Sequence, residues 1–329
     1  MQPRAGRRAN ARRWLCAALV LVAAGCTHTV TDRSARSVDA EAQWEKEYAR
    51  AHRLESGLFL EEALRHYQRA LDASRAFPAG DSRSVSTRLA LADLYTSTGR
   101  VDRAEREYAE LIRIQRAVHG DANDAVADSL NRLGVLYVDS GRSAEARPHF
   151  EVALEIRTRV YGPNHPATVA TLQNLAGVYR DTGYLEHAER LYLRALDVYE
   201  TGGDETLAAS SVVQNNLAVL YRKMGRVDEA ERLHRNAIAL SKAANGERNP
   251  NVGFFSRDLA RLLAEQQRYE ESEAYFRDAY RIFRVHYGAE HPELRTTLID
   301  FATMLSAAGR EQEASRFFQR AAEIPEVRK

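Results

Sequence analysis

Cysteine is nearly missing from this 329-residue chain: Cys16 and Cys26 are the only two. Both lie at the N-terminus, so everything downstream folds without an internal disulfide. Lysine is almost as scarce, with Lys46, Lys223, Lys242 and Lys329 against 43 arginines, the imprint of a GC-rich genome rather than of nucleic-acid binding. Long apolar runs are lacking. The best, Trp14 to Ala24, has eleven residues, too few to cross a ~30 Å hydrocarbon core as a helix. Phosphate-binding loops of the GxxxxGK type, GxGxxG, GxSxG and HExxH are all missing. The ten histidines are scattered. His286 and His291, beside Glu290, read as a helix end and a cap rather than metal ligands, and His234 reads as a packed core residue. Carboxylates are many but fall on solvated helix faces. The chain is therefore read as no enzyme, with no cofactor and no metal. At 44% hydrophobic and 28% charged residues it is neither largely disordered nor a polytopic membrane protein.

Charge is unevenly spread. Arg4, Arg7, Arg8, Arg12 and Arg13 all precede the first acidic residue, Asp32. Without residues 1–25, five of the 47 basic residues are gone, and 42 face 46 acidic ones, a net of −4. Such a chain has no electrostatic reason to coat DNA or RNA. The arginine-rich start, the apolar run and Gly25-Cys26 form a secretory signal. Val22-Ala-Ala-Gly-Cys26 resembles the bacterial lipobox, in which small residues precede a cysteine that is lipidated and becomes the new N-terminus. That resemblance implies a signal peptide at 1–25, lipid on Cys26 and export to the cell envelope. Thr27 after the cysteine implies the periplasmic face of the outer membrane. The polar stretch 26–36 has no apolar period and reads as a tether.

The remainder repeats. Gly57, Gly99, Gly141, Gly183, Gly225, Gln267 and Gly309 are each 42 residues apart. In phase with them run Leu91-Ala-Asp-Leu-Tyr95, Leu133-Gly-Val-Leu-Tyr137, Leu175-Ala-Gly-Val-Tyr179, Leu217-Ala-Val-Leu-Tyr221, Leu259-Ala-Arg-Leu-Leu263 and Phe301-Ala-Thr-Met-Leu305. After each turn a small residue (Ala104, Ala146, Ala188, Ala230, Ser272, Ala314) is followed four positions on by Tyr108, Phe150, Tyr192, His234, Phe276 or Phe318. Apolar residues at spacings of three and four mark one face of a helix, and small positions facing large rings mark two helices crossing closely. Asp81, Asn123, His165, Asn249 and His291, several followed by proline, fit N-caps. Leu207 breaks that column, so Thr206 is expected to cap. Each unit is thus helix, tight turn, helix. In the first unit Ala63 lies six rather than five residues after Gly57, a one-residue insertion. Pro148, inside a helix, removes one backbone bond.

These columns resemble the tetratricopeptide repeat in its 42-residue kinesin light chain form, most closely over residues 160–196. The resemblance implies an all-α, right-handed solenoid of about seven helix-turn-helix repeats over residues 37–324, with 325–329 as a tail. This overrides the two domains that length alone suggests. It also implies that first helices line a concave groove. Carried onto this chain, the groove residues are Asn131, Gln173, Asn215 and Arg257, with Arg180, Arg222 and Arg261. Amides suit a peptide backbone and arginines suit carboxylates. The expected function is a membrane-tethered adaptor binding an extended, acidic peptide or a partner protein. An assembly lipoprotein for an outer-membrane or pilus machine, binding a folded partner, and a regulator of an envelope enzyme are the alternatives.

Overall fold

A computed structural model describes residues 38–203 and 206–325. The signal segment 1–25, Cys26, the 26–36 tether and residues 326–329 of the tail lie outside the described residues. Within them every regular element is a helix. The first, α1, occupies residues 38–56. It is followed by α2 (Leu60–Ser74), α3 (Ser82–Ser97), α4 (Val101–His119), α5 (Asp124–Asp139), α6 (Ser143–Tyr161) and α7 (Pro166–Asp181). The rest are α8 (Leu185–Glu200), α9 (Leu207–Lys223), α10 (Val227–Asn245), α11 (Pro250–Glu265), α12 (Tyr269–Tyr287), α13 (Pro292–Ala307) and α14 (Glu311–Ala322). The chain divides into two compact units, one ending at Val118 and the other beginning at His119.

In the first unit α1 packs on α2 through Tyr48 and Tyr67, with ring centroids 5.4 Å apart. Trp44 Nε1 donates to Thr87 of α3 at 2.9 Å. The second unit holds the pairs α5–α6, α7–α8, α9–α10, α11–α12 and α13–α14, stacked in order. Its core is the set of columns read from sequence: Ala188, Tyr192 and Ala195 pack with Leu217, Ala218, Ala230 and Ala237, all at most 1% exposed. Small beside large is literal here, since a Cβ on Gly134 would stand 2.7 Å from the Phe150 ring.

The turns follow one design. Gly141 has φ 76°, its N–H reaches Val138 O at 2.9 Å, and Arg142 N–H reaches Tyr137 O at 2.7 Å. That paired closure of a helix end needs a left-handed residue. Gln267 takes the same conformation, with φ 61°. In the first repeat the expectation is corrected. Leu58, not Gly57, is left-handed, with φ 64°, and Phe59 N–H closes on Leu54 O at 2.9 Å. Ala63 is then five residues beyond the turn, as in every other unit. The packing of Ala63 and Tyr67, both at most 1% exposed, sets which residue bends, and glycine content does not. A left-handed side chain costs on the order of 1 kcal/mol against glycine. Gln267→Gly is therefore expected to raise stability by about that amount in urea denaturation; a neutral or negative change would show that the glutamine side chain holds the turn.

Helix starts agree with the column. Asp81, Asn123, His165, Asn249 and His291 each accept the N–H two residues on. Thr206 stands at the start of α9 but does not cap it. Its hydroxyl turns back to donate to Tyr199 O and Gly203 O, the last at 2.7 Å. Pro148 is accommodated within α6, which continues to Tyr161.

A clamp in phase with the turns, which the sequence reading did not single out, joins successive repeats. Arg226, Arg268 and Arg310, each just after a turn, fork onto Glu229, Glu271 and Glu313 three residues on, at 2.6–2.8 Å. Each also reaches back to the preceding repeat's second helix, at Glu189 (2.5 Å), Glu231 (2.7 Å) and Glu273 (2.5 Å). The arginines hold Glu229, Glu271, Glu273 and Glu313 below the usual carboxylate range. The equivalent of Arg226 in α7–α8 is Tyr184, and the equivalent of Glu189 is Arg147.

Candidate functional site: the face of the first helices

In the second unit the odd-numbered helices touch one another in sequence, α5 to α7, α7 to α9, α9 to α11 and α11 to α13. Two hollows open between them. One of about 230 Å³ is bordered by Gln173, Asn174, Arg180 and Asn216. The other, about 390 Å³, is bordered by Arg222, Arg261, Glu265 and Asp300 over the Phe276 ring. Closely spaced first helices make this the concave side of the stack.

The seven residues expected in a groove all come from these helices, but they are not equivalent. Asn131 accepts from Asn174 Nδ2 at 3.0 Å, linking α5 to α7. Gln173 donates to the Tyr199 hydroxyl at 3.2 Å. Arg180 gives its Nε to Asp181 at 2.9 Å. Arg222 lies 3.4 Å from Glu265. Arg261 holds Asp300 of α13, Nε to Oδ2 at 2.9 Å. These five remain partly exposed. Asn215 and Arg257 do not, at 6% and 9% exposure. Arg257 gives Nη1 to Glu293 at 2.6 Å, and its guanidinium lies 5.3 Å from the Phe254 ring centre.

Asn215 sits in a buried chain. Its Nδ2 donates to Asp258 at 3.0 Å, which fixes the amide orientation and turns Oδ1 toward His234 Nδ1 at 2.8 Å. His234 must then carry its proton on Nδ1 and leaves Nε2 as a buried acceptor with no partner among the described residues. Burial drives the imidazole down to about pKa 4, with Arg222 acting in the same sense and Asp258 against it. His234 is fully buried in the aromatic column, as read from the sequence. His291 caps α13 through Nδ1 at 3.2 Å from Glu293 N and stacks on Tyr287, rings 4.2 Å apart.

Sequence reasoning missed that most of these polar residues staple one first helix to the next. The spacing held the signal: Asn131 to Asn174, Asn215 to Asp258 and Arg222 to Glu265 are each 43 residues apart, one repeat plus one. It also passed over Gly177, the one position in its column without a side chain.

The tetratricopeptide repeat family model matches residues 83–159, 125–201, 209–284 and 255–326. Among solved structures, BtubC (BKLC) from P. vanneervenii is similar over 69% of this chain and 89% of its own, at 21% identity and TM-score 0.53. A Podosopora anserina protein described as a kinesin light chain with nearly identical TPR-like repeats is similar over 61% of this chain and 96% of its own, at 21% identity and TM-score 0.50. A Rap protein complexed with competence and sporulation factor is similar over 86% of this chain and 74% of its own, at 15% identity and TM-score 0.61. No curated protein sequence matches the chain.

Proposed function

From the premise that this chain belongs to the tetratricopeptide-repeat family, we propose that it is a non-catalytic adaptor, tethered to the envelope membrane through lipid on Cys26, whose second unit binds an extended peptide segment of a partner protein. The single observation behind this reading is the run of amides and guanidinia along the touching odd-numbered helices, with hollows between them. A groove of this kind meets a peptide backbone with amides and its carboxylates with arginines, without demanding one sequence. The same fold in a Rap protein is solved in complex with competence and sporulation factor, which makes capture of a second molecule an available use of the fold.

Asn131, Gln173, Arg180, Arg222 and Arg261 are the residues assigned to the ligand. Asn215 and Arg257 hold the surface in shape from behind. The test is affinity capture from detergent-solubilised membranes with the full chain, followed by titration of the captured partner. Arg222→Glu with Arg261→Glu should weaken binding by about tenfold or more at low salt, and less as salt screens the exposed charges. Circular dichroism should stay helical, with a somewhat lower melting temperature from the lost Glu265 and Asp300 pairs. A partner that binds the double variant as tightly as the parent would move the interface off this face and favour an assembly factor holding a folded partner. Cys26→Ala should release the protein from membranes; sedimentation through an alkaline wash despite that change would remove the lipid anchor from the reading.

A further inference from the structure

Three tyrosines occupy the large-residue column of the second helices: Tyr67, Tyr108 and Tyr192. The first two give their hydroxyls to carboxylates, Tyr67 to Glu55 at 2.7 Å and Tyr108 to Asp93 at 2.5 Å. Tyr192 is 1% exposed, yet no described residue accepts its hydroxyl. The reason lies one helix away. Asp93 stands one residue after the small-residue column of α3, and the matching position in α7 is Gly177. A Cβ there would sit 3.5 Å from the Tyr192 oxygen. The hydroxyl therefore aims at the space where its sister in α4 finds a carboxylate.

That space is not closed. It is the hollow of about 230 Å³ on the concave face, walled by Val135, Val138 and the Phe150 ring, with Asn174, Arg180 and Asn216 around it. Only the Nε of Arg180 is engaged, by Asp181. Burial pushes the Tyr192 hydroxyl up to about 12, so it stays a donor across neutral pH. The other charged groups on the rim are Asp181, which pairs with Arg180, and Asp139 of α5, a carboxylate raised by burial and with no partner among the described residues. Asp139 opposes a second negative charge and so sets the affinity without supplying the donor.

We propose that the Gly177 notch is a pocket for the carboxylate side chain of an aspartate or glutamate in a bound peptide, received by the Tyr192 hydroxyl and Arg180. The guest carboxylate takes the place that Asp93 holds for Tyr108. This rests on the concave-face reading above and names the chemistry that one of its pockets selects.

The probes are three short labelled peptides alternating Glu–Ser, Gln–Ser and Lys–Ser, titrated against the full chain by fluorescence anisotropy. The Glu–Ser peptide should bind about tenfold tighter than the Gln–Ser one, the scale of a charge-assisted pair. Asp139→Asn should tighten Glu–Ser binding, whereas an ammonium-selecting notch would respond in the opposite direction. Gly177→Asp rebuilds the Asp93–Tyr108 pair within the chain. It should abolish Glu–Ser binding while raising the melting temperature. Tyr192→Phe should weaken binding several-fold at unchanged helicity, because Phe150 and Phe276 already fill the same column. Glu–Ser affinity unchanged in both Gly177→Asp and Tyr192→Phe overturns the pocket but leaves a peptide site elsewhere on the face. Preference for Lys–Ser or Gln–Ser, or no binding by any of the three, also overturns it. The adaptor reading is then judged by the captured partner alone.

Discussion

Between pH 6.5 and pH 4 the folded protein is expected to lose up to roughly 3 kcal/mol of stability through His234 alone. In the unfolded chain this imidazole takes up its proton near pH 6.5, while burial delays protonation in the folded state to about pH 4. Below 6.5 the unfolded state therefore binds a proton that the folded state refuses, and each unit of difference is worth about 1.4 kcal/mol. The loss is complete below the folded value. It begins at higher pH than the loss from Glu229, Glu271 and Glu313, whose arginine-held carboxylates protonate only below their ordinary value of 4.5. The check is the urea midpoint across this window for the parent and for His234→Phe. The variant should start lower at neutral pH, because Asn215 Oδ1 loses its donor. Its stability should then fall far less on acidification. Equal slopes in the two proteins would assign the pH response to other groups.

Stripping both Asp124 and Asp128 to alanine is expected to destabilise the second unit by about 3 kcal/mol. Arg157 is the buried member of this cluster, 6% exposed, and it joins three helices. Its Nε and Nη2 reach Asp124 and Asp128 of α5 at 3.1 Å, and Nη1 reaches Thr171 of α7 at 2.9 Å. Without the aspartates the guanidinium is a desolvated cation left with one hydroxyl and the Ala167 carbonyl. Removing the arginine instead is milder. The aspartate side chains are 34% and 40% exposed and water takes them over. Arg157→Met, which keeps most of the volume, should cost about 1 kcal/mol. Denaturant titration of both variants measures the asymmetry, and a methionine variant worse than the double aspartate variant would contradict it.

The fold could be read almost whole from the columns because each carries a steric demand. Gly134 is small since the Phe150 ring of the next helix crosses over it, and Gly225 bends left since a helix ends there. Where two residues could meet a demand, the columns pointed to the wrong one, as with Gly57 beside Leu58. Register there is decided by burial of Ala63 and Tyr67, which a glycine count does not sense. Thr206 failed as a cap for a similar reason, since its hydroxyl found closer acceptors behind it. The concave residues were placed on the right helices, but their partners were not foreseen. A position in a column says which way a side chain points, while Asn215 bonding Asp258 depends on how far α9 stands from α11. The unanswered hydroxyl of Tyr192 needed a comparison between repeats, Gly177 against Asp93, and both letters were there to be read.

The arginine clamps bear on how this molecule would come apart under load. Arg226, Arg268 and Arg310 rivet each of the last three helix pairs to the one before it, and every rivet is ionic and forked. Between α5–α6 and α7–α8 the rivet position holds Tyr184, whose ring rests on Tyr179 and His187 instead. That seam is closed by the buried Arg157 of α6, which reaches Thr171 and the Ala167 carbonyl of α7, so under a pull from the ends it should hold in high salt, which screens the partly exposed rivets. The four pairs from α7–α8 to α13–α14, joined by three rivets, should move as one block at low salt, and added salt should break the extension into shorter steps.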